Sequence, residues 1–422
     1  MKILLLNQAF YPDVAATAQH AADLASELSR RGHEVTVVAA RRAYDDPGRT
    51  FPARELWRGI VIRRVLHFSF GKTSRWRCAA DAASLLVAFA CRLLVLPRCD
   101  VVIALTSPPL ISVLAVLIAR LRRSRLIYWV MDLNPDEAIA AGWLRPDSAA
   151  AICLEALSRL SLHAADAVIA LDHFMKQRIV AKGIPDHKVH IVAPWSHDRV
   201  VGYDAGRRLA FRKKHGLSDK FVVMYSGNHS PCHPLDTVLA AARTLATRPQ
   251  FAFCFIGGGS KFRDVQQYAR QHKLSNILCL PYQSLDDLSA SLSAADLHVV
   301  IMGDPFLGIV HPCKPYNILS LGMPFLYLGP APSCVADLAF AGAAGRWFFH
   351  AQHGDTEGLV NCIFKAHKSA VRRSRDELRV AAAFSQDALA PSLARIIERT
   401  AMPHLCERSE TAFTYSKAIP TR

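Results

Sequence analysis

The sequence predicts an α/β protein of two parallel-sheet domains, and three features carry that reading. At 422 residues it exceeds one ordinary hydrophobic core and suits two domains. Strand-like and helix-like runs alternate through both halves, the pattern of helices packed on parallel sheets. Late in the second half, the run Ala295–Ile301 reads as a strand leading into His311-Pro312-Cys313-Lys314-Pro315-Tyr316-Asn317. That places a basic loop at a strand's C-terminal end, where open α/β sheets bind ligands.

Taken in order, Lys2–Asn7 reads as a short buried strand whose apolar run stops too early for a secretory leader. Thr17–Arg31 follows as a helix that Gly32 ends, and Glu34–Ala40 is the next strand. Asp100–Leu105, Leu126–Met131 and Ala167–Leu171 continue the first series. Phe221–Ser226, Phe251–Ile256, Asn276–Leu280, Leu297–Met302 and Phe325–Leu328 form the second. Pro194 to about Lys214 is polar and basic, suiting an interdomain linker, and Met402–Arg422 lacks apolar periodicity, as in a loose tail. The expected domains are 1–195, completed by a C-terminal helix near 383–400, and 196–382.

Composition narrows the function. Half the residues are hydrophobic (51%) and 20% are charged, which excludes a disordered chain. Eleven scattered cysteines without a C-x-x-C pair suit reduced thiols in a cytosolic protein. The apolar stretches 84–96 and 101–119 are interrupted and fall short of a membrane span. Net charge is +16, and Arg41 to Arg125 holds fifteen Arg and one Lys against five acidic residues. With Trp57, Phe68, Phe70 and Trp76 interleaved, this stretch reads as a face for an anionic membrane, with Arg63, Arg64, Arg75, Trp76 and Arg77 as its members. A solvated basic face is the alternative, and no nucleic-acid recognition motif accompanies the charge. Neither G-x-G-x-x-G nor the P-loop pattern is present, which argues against a nicotinamide or flavin enzyme.

Lys314–Leu321 reads as a short helix, entered through Pro312 and Pro315 and ended by Gly322. Its N-terminus, with Lys314 and His311 at the mouth, favours phosphate groups, since free backbone N–H groups and the helix dipole both attract an anion. An ordinary strand-to-helix connection with solvated basic residues is the alternative. His229, Cys232, His233, His311 and Cys313 offer nitrogen and sulfur from two loops, but H-x-x-C-H is not a structural-zinc spacing, so no metal is expected.

Distributed motifs carry a resemblance. They are Phe10-Tyr11-Pro12-Asp13 with Leu28 to Val38, Thr106-Ser107-Pro108-Pro109, Asp132-Leu133-Asn134-Pro135-Asp136 and Val192-Ala193-Pro194-Trp195. The second half adds Tyr225-Ser226-Gly227-Asn228, Gly257-Gly258-Gly259, Leu280-Pro281-Tyr282, Ala294-Ala295-Asp296 and Cys313-Lys314 through Gly322-Met323-Pro324. In this order the sequence resembles the family-4 glycosyltransferases of the GT-B fold, and within them the bacterial exopolysaccharide and O-antigen (colanic-acid type) branch.

The resemblance implies two Rossmann-like domains facing across a cleft, a UDP- or GDP-sugar donor on the second, and a lipid-linked glycan acceptor on the first. It implies a retaining, metal-independent hexosyltransferase with no cofactor, cytoplasmic and peripheral at the inner face of the cell membrane. Lys314 would meet the diphosphate of the donor, with Gly227, Asn228, His229 and His311 beside it, Asn317 on the ribose and Tyr282 at the base. Asp132 is the best-placed catalytic carboxylate, though it reads equally as a helix cap. Asp13 and His20 are acceptor-side candidates.

The sequence also departs from the family. Ile309 and Asn317 stand where an acidic pair is usual, Asn228-His229-Ser230-Pro231-Cys232-His233 replaces the usual basic pair, and Ala15-Ala16 replaces a glycine pair. A sugar-nucleotide epimerase or hydrolase and a non-catalytic sugar-nucleotide-binding scaffold therefore stay open.

Overall fold

A computed structural model describes the chain except Val14, 45–47, 69–74, 198–200, 342–346, 370–374 and 403–422. It divides into two compact units. Among the described residues the first comprises Met1–Ala193, Gly308–His311 and Leu389–Met402; the second comprises Pro194–Leu307 and Pro312–Ala388.

The first unit is built on eight strands: β1 (Lys2–Leu6), β2 (Glu34–Ala40), β3 (Arg54–Trp57), β4 (Ile60–Val65), β5 (Val101–Ala104), β6 (Arg125–Trp129), β7 (Ala167–Ala170) and β8 (Val189–Ile191). They lie in the order β3-β4-β2-β1-β5-β6-β7-β8, and every pair is parallel except β3–β4. That exception is a two-residue hairpin in which Arg58 (φ 50°) and Gly59 (φ 78°) both take positive φ, the turn whose twist matches its strands. The sequence reading missed this hairpin and β8. Glu398, from the helix Gln386–Ala401, pairs with Arg31 and His33, each at 2.9 Å.

The second unit has six strands: β9 (Phe221–Asn228), β10 (Phe251–Gly258), β11 (Ile277–Leu280), β12 (Leu297–Ile301), β13 (Phe325–Leu328) and β14 (Phe348–Ala351). All are parallel in the order β11-β10-β9-β12-β13-β14, the doubly wound dinucleotide-type arrangement. Both faces are covered, so these strands read as continuous apolar runs: Val223 and Tyr225 of β9 enter one core layer, Val222 and Met224 the other.

Residues 205–214 correct the linker expectation. They form the helix Ala205–Lys214 of the second unit, capped by Asp204, whose carboxylate accepts from the Arg207 N–H. Phe211 packs into the core, while Arg208 and Arg212 both reach Asp296, so this basic sequence is folded structure.

Candidate functional site

In the second unit the strand order reverses between β9 and β12, and ligands of such sheets bind outside the strand ends at that point. β9 ends in Ser226-Gly227-Asn228, and the chain after β12 returns in the helix Lys314–Leu321. The helix buries Pro315, Tyr316, Ile318, Leu319 and Leu321, and stops at Gly322 with φ 66°, where a left-handed residue closes the last turn. Burying that apolar face fixes the N-terminal turn, and with it Lys314, beside the end of β9.

Gly227 makes the close approach possible. A Cβ there would lie 2.7 Å from Lys314 Cε and 3.4 Å from Nζ, and φ of 136° further restricts the position to glycine. The Lys314 ammonium sits 4.7 Å from the centroid of the Tyr225 ring. It has no carboxylate partner among the described residues, and burial lowers it to about 8. A desolvated cation without a counter-charge is an unsatisfied anion site.

The rest of the strand end is held rigidly. The Tyr225 hydroxyl donates to Asn228 O at 2.7 Å, and β9 pairs with β10 through Gly227–Gly257 and Asn228–Gly258. A side chain on Gly257 would strike the Gly227 carbonyl. Asn228 is exposed. Tyr282, 43% exposed, follows β11 and lies against Gly258, where a Cβ would come 2.8 Å from its ring.

One donor-side expectation is corrected. His229 is fully buried, its backbone N–H donating to Gly258 O at 2.7 Å and its ring edge-on to Phe262 and Tyr225. Burial lowers its imidazole to about 4, so it is neutral at pH 7 and packs the turn instead of supplying charge to a phosphate. Asn317 spends its side-chain carbonyl on the backbone N–H of His197, at 2.9 Å, which anchors the start of the second unit and leaves its amide nitrogen for other contacts.

In the first unit, Gly308–His311 lies across the ends of β6 and β7. The Leu133 N–H donates to Ile309 O at 2.9 Å, and Gly308 (φ 70°) lies so close to Phe174 that a Cβ would come within 2.8 Å of its carbonyl. His311 Nδ1 is 2.6 Å from Asp172 Oδ2, and both side chains are buried. Asp172 also caps the helix His173–Ala181 by accepting from the Met175 N–H, so one carboxylate fixes both a helix start and the imidazole. His311 therefore belongs with the first unit's strand ends.

Asp132 is enclosed by protein while keeping some exposed surface, and burial, reinforced by Glu137, raises its carboxyl to about 8. The shift favours the neutral carboxyl at pH 7 and so weighs against a general-base role there. Asp13 accepts from the Tyr44 N–H at 2.7 Å, and His20 lies on the buried face of the helix Ala16–Arg30 at 2% exposure. Both are held in structure, and His20 is not open to an acceptor.

Comparison with known proteins converges on one family. A Glycosyl transferase 4-like domain matches residues 16–195, and Glycosyl transferases group 1 matches residues 207–312. The putative colanic acid biosynthesis glycosyl transferase WcaI of Escherichia coli (strain K12) is 26% identical over 347 residues, 76% of this chain and 82% of that protein. The chain belongs to the family-4 glycosyltransferases of the GT-B fold. Two solved structures share that fold. Anabaena HepE, in complex with UDP and glucose, aligns with TM-score 0.70 at 14% identity, covering 94% of this chain and 99% of HepE. WaaG, a glycosyltransferase involved in lipopolysaccharide biosynthesis, aligns with TM-score 0.67 at 16% identity and covers 94% and 99%.

One member of the membrane face expected from sequence, Arg64, is not at the surface. Arg64 is 2% exposed, pairs with Glu55 at 2.7 Å, and donates to the carbonyls of Pro52 and Tyr11. Arg63 is half-buried on β4, and Trp57 stacks on Tyr11 at 4.2 Å. Arg77 is half-buried, while the side chains of Arg75 and Trp76, and all of Phe70, lie outside the described residues. Sequence reasoning also missed Asp172, and it gave Tyr225 no role beyond its place in a motif. The Leu171-Asp172-His173 step at a strand-to-helix junction is a capping signal that could have found the first. Nothing local marks the second, because its role depends on Lys314, far along the chain.

Proposed function

We propose that this glycosyltransferase moves a hexosyl group, with retention, from a UDP- or GDP-sugar held by the second unit to a lipid-linked glycan acceptor held by the first. It would act in cell-surface polysaccharide synthesis, in the cytoplasm at the inner face of the membrane. Lys314 carries the reading: an unpaired, desolvated ammonium at the switch point of a doubly wound sheet, beside a glycine that lets backbone approach. HepE, of the same fold, was solved with UDP and glucose, and WcaI is named for colanic acid biosynthesis.

As the bond from the sugar's anomeric carbon to the diphosphate oxygen breaks, the leaving group takes the electron pair. Lys314, with the helix N-terminus behind it, stabilises that charge without a metal ion. The acceptor hydroxyl forms the new bond on the same face of the sugar and passes its proton to the departing diphosphate oxygen. Gly227 and the Asn228 backbone flank the phosphates, Asn317 offers its amide nitrogen to the ribose, and Tyr282 gives an exposed ring for the base.

The purified protein, incubated with labelled UDP- and GDP-sugars and lipid-linked acceptors, is expected to release nucleoside diphosphate only as the acceptor is extended. An isomerised donor would establish an epimerase, release without extension a hydrolase, and binding without turnover across the panel a scaffold.

The charge on Lys314 sets a pH dependence. It is held near 8 without ligand, and the diphosphate favours its protonated form, so nucleotide binding takes up a proton above that pH. UDP affinity measured calorimetrically is expected to be nearly level around pH 7 and to fall towards tenfold per pH unit above about 8. A flat profile to pH 9.5 would remove Lys314 from the phosphates.

A further inference from the structure

Among the described residues, Lys314 keeps its charge in place without a counter-ion. The titratable groups that face its ammonium are Tyr225, His229, Cys232, His233 and Cys313, from the end of β9, the turn after it and the start of the helix Lys314–Leu321. None is a carboxylate. Burial keeps both imidazoles neutral at pH 7, and it raises the Tyr225 phenol well above its ordinary value, so that ring stays uncharged too.

The ammonium lies over Tyr225. Its nitrogen is 4.7 Å from the ring centroid, within the range at which the negative face of an aromatic ring attracts a cation, and exclusion of water strengthens that attraction. The ring cannot turn away. It is 1% exposed in a core layer with Val223 and Phe253, its hydroxyl donates to Asn228 O at 2.7 Å, and the His229 ring meets it edge-on at 4.8 Å between centroids. A lysine has a flexible four-carbon stem, and fixing its end costs entropy unless a partner holds it. A carboxylate would hold it, but would also neutralise the charge and compete with a phosphate. An aromatic face attracts the ammonium and leaves the full charge for a ligand. Gly227 gives the stem its room, since a Cβ there would lie 2.7 Å from Lys314 Cε.

We propose that Tyr225 is a positioning residue for the donor phosphates: its ring face holds the Lys314 ammonium at the end of β9 without cancelling its charge. The proposal rests on the reading of Lys314 as the diphosphate ligand and adds what keeps the lysine there. Tyr225 is itself buried and acts through the lysine.

Substitution at 225 separates the ring face from the hydroxyl and from packing. Tyr225→Phe keeps the face, and the carbonyl it frees belongs to the exposed Asn228, where water replaces the hydroxyl, so UDP affinity should stay within about twofold. Tyr225→Leu removes the face and should weaken UDP binding about tenfold, within the range for a desolvated cation–π contact. Phenylalanines carrying one, two and three fluorines at 225 keep the ring's shape while draining its face of negative charge, so they test the contact even if the Leu variant does not fold. Because the ring stabilises the charged amine, weakening its face should lower Lys314 further below about 8. The rate at which acetic anhydride labels Lys314, followed against pH by mass spectrometry in the protein without ligand, reads that midpoint. It should fall with each fluorine, by roughly one pH unit over the series. The same fluorinated residues at Phe253, in the same core layer, should leave it unmoved. A midpoint that ignores fluorination, or a Phe variant as weak as the Leu variant, would overturn the proposal. Because the labelling needs no nucleotide, a midpoint that shifts in a protein binding no UDP would keep Tyr225 as the holder of Lys314 and sink the donor reading instead.

Discussion

Lys314→Ala is expected to lower transfer turnover by roughly 10²-fold or more, the effect of removing one preorganised charge from a developing anion. The variant should fold normally, because the ammonium is uncompensated in the free protein and its loss relieves desolvation. UDP affinity should fall as well, and the decline above pH 8 should disappear. Steady-state kinetics with a confirmed donor, read beside a thermal unfolding curve, separates this from simple destabilisation. An unchanged rate would take Lys314 out of the reaction.

The largest stability effect is expected at Asp296. Its carboxylate accepts from the Val222 N–H at 2.8 Å, pairs with Arg212 at 3.0 Å, and is also reached by Arg208. Arg212 is 6% exposed, so removing its counter-charge strands a buried guanidinium, although the carbonyls of Leu217 and Ala294 still accept from it. Asp296→Ala should therefore destabilise the second unit by about 3 kcal/mol, the low end for breaking a buried pair. Urea unfolding measures it, and adding Arg212→Met should recover part of the loss. A change below about 1 kcal/mol would show that solvent already screens the pair.

The elements legible in the sequence were those with local signatures. The helix Lys314–Leu321 was readable because proline at its start and Gly322 at its end are chemical signals of helix boundaries. Glu34–Ala40 and Phe325–Leu328 were readable because strands covered on both faces leave continuous apolar runs. The β3–β4 hairpin was hidden by its arginines, although Ile60 and Ile62 alternate as a half-buried strand should. The helix Ala205–Lys214 looked like a linker because its stabilising partner, Asp296, is about eighty residues away.

The site divides in the same way. From the sequence alone came a lysine at the mouth of a short helix, a glycine at the end of a strand, and the family they mark. Tertiary structure decided which charges are real and available. His229 and Lys314 both read as phosphate ligands, yet enclosure leaves the histidine neutral and the lysine a cation without a partner. Arg64 and Arg98 read as equivalent surface arginines, yet one is buried against Glu55 and the other is exposed. Helix caps and apolar periodicity act over a few residues and are written in order along the chain. Desolvation and ion pairing depend on groups brought together from distant positions, so they exist only once the chain has folded.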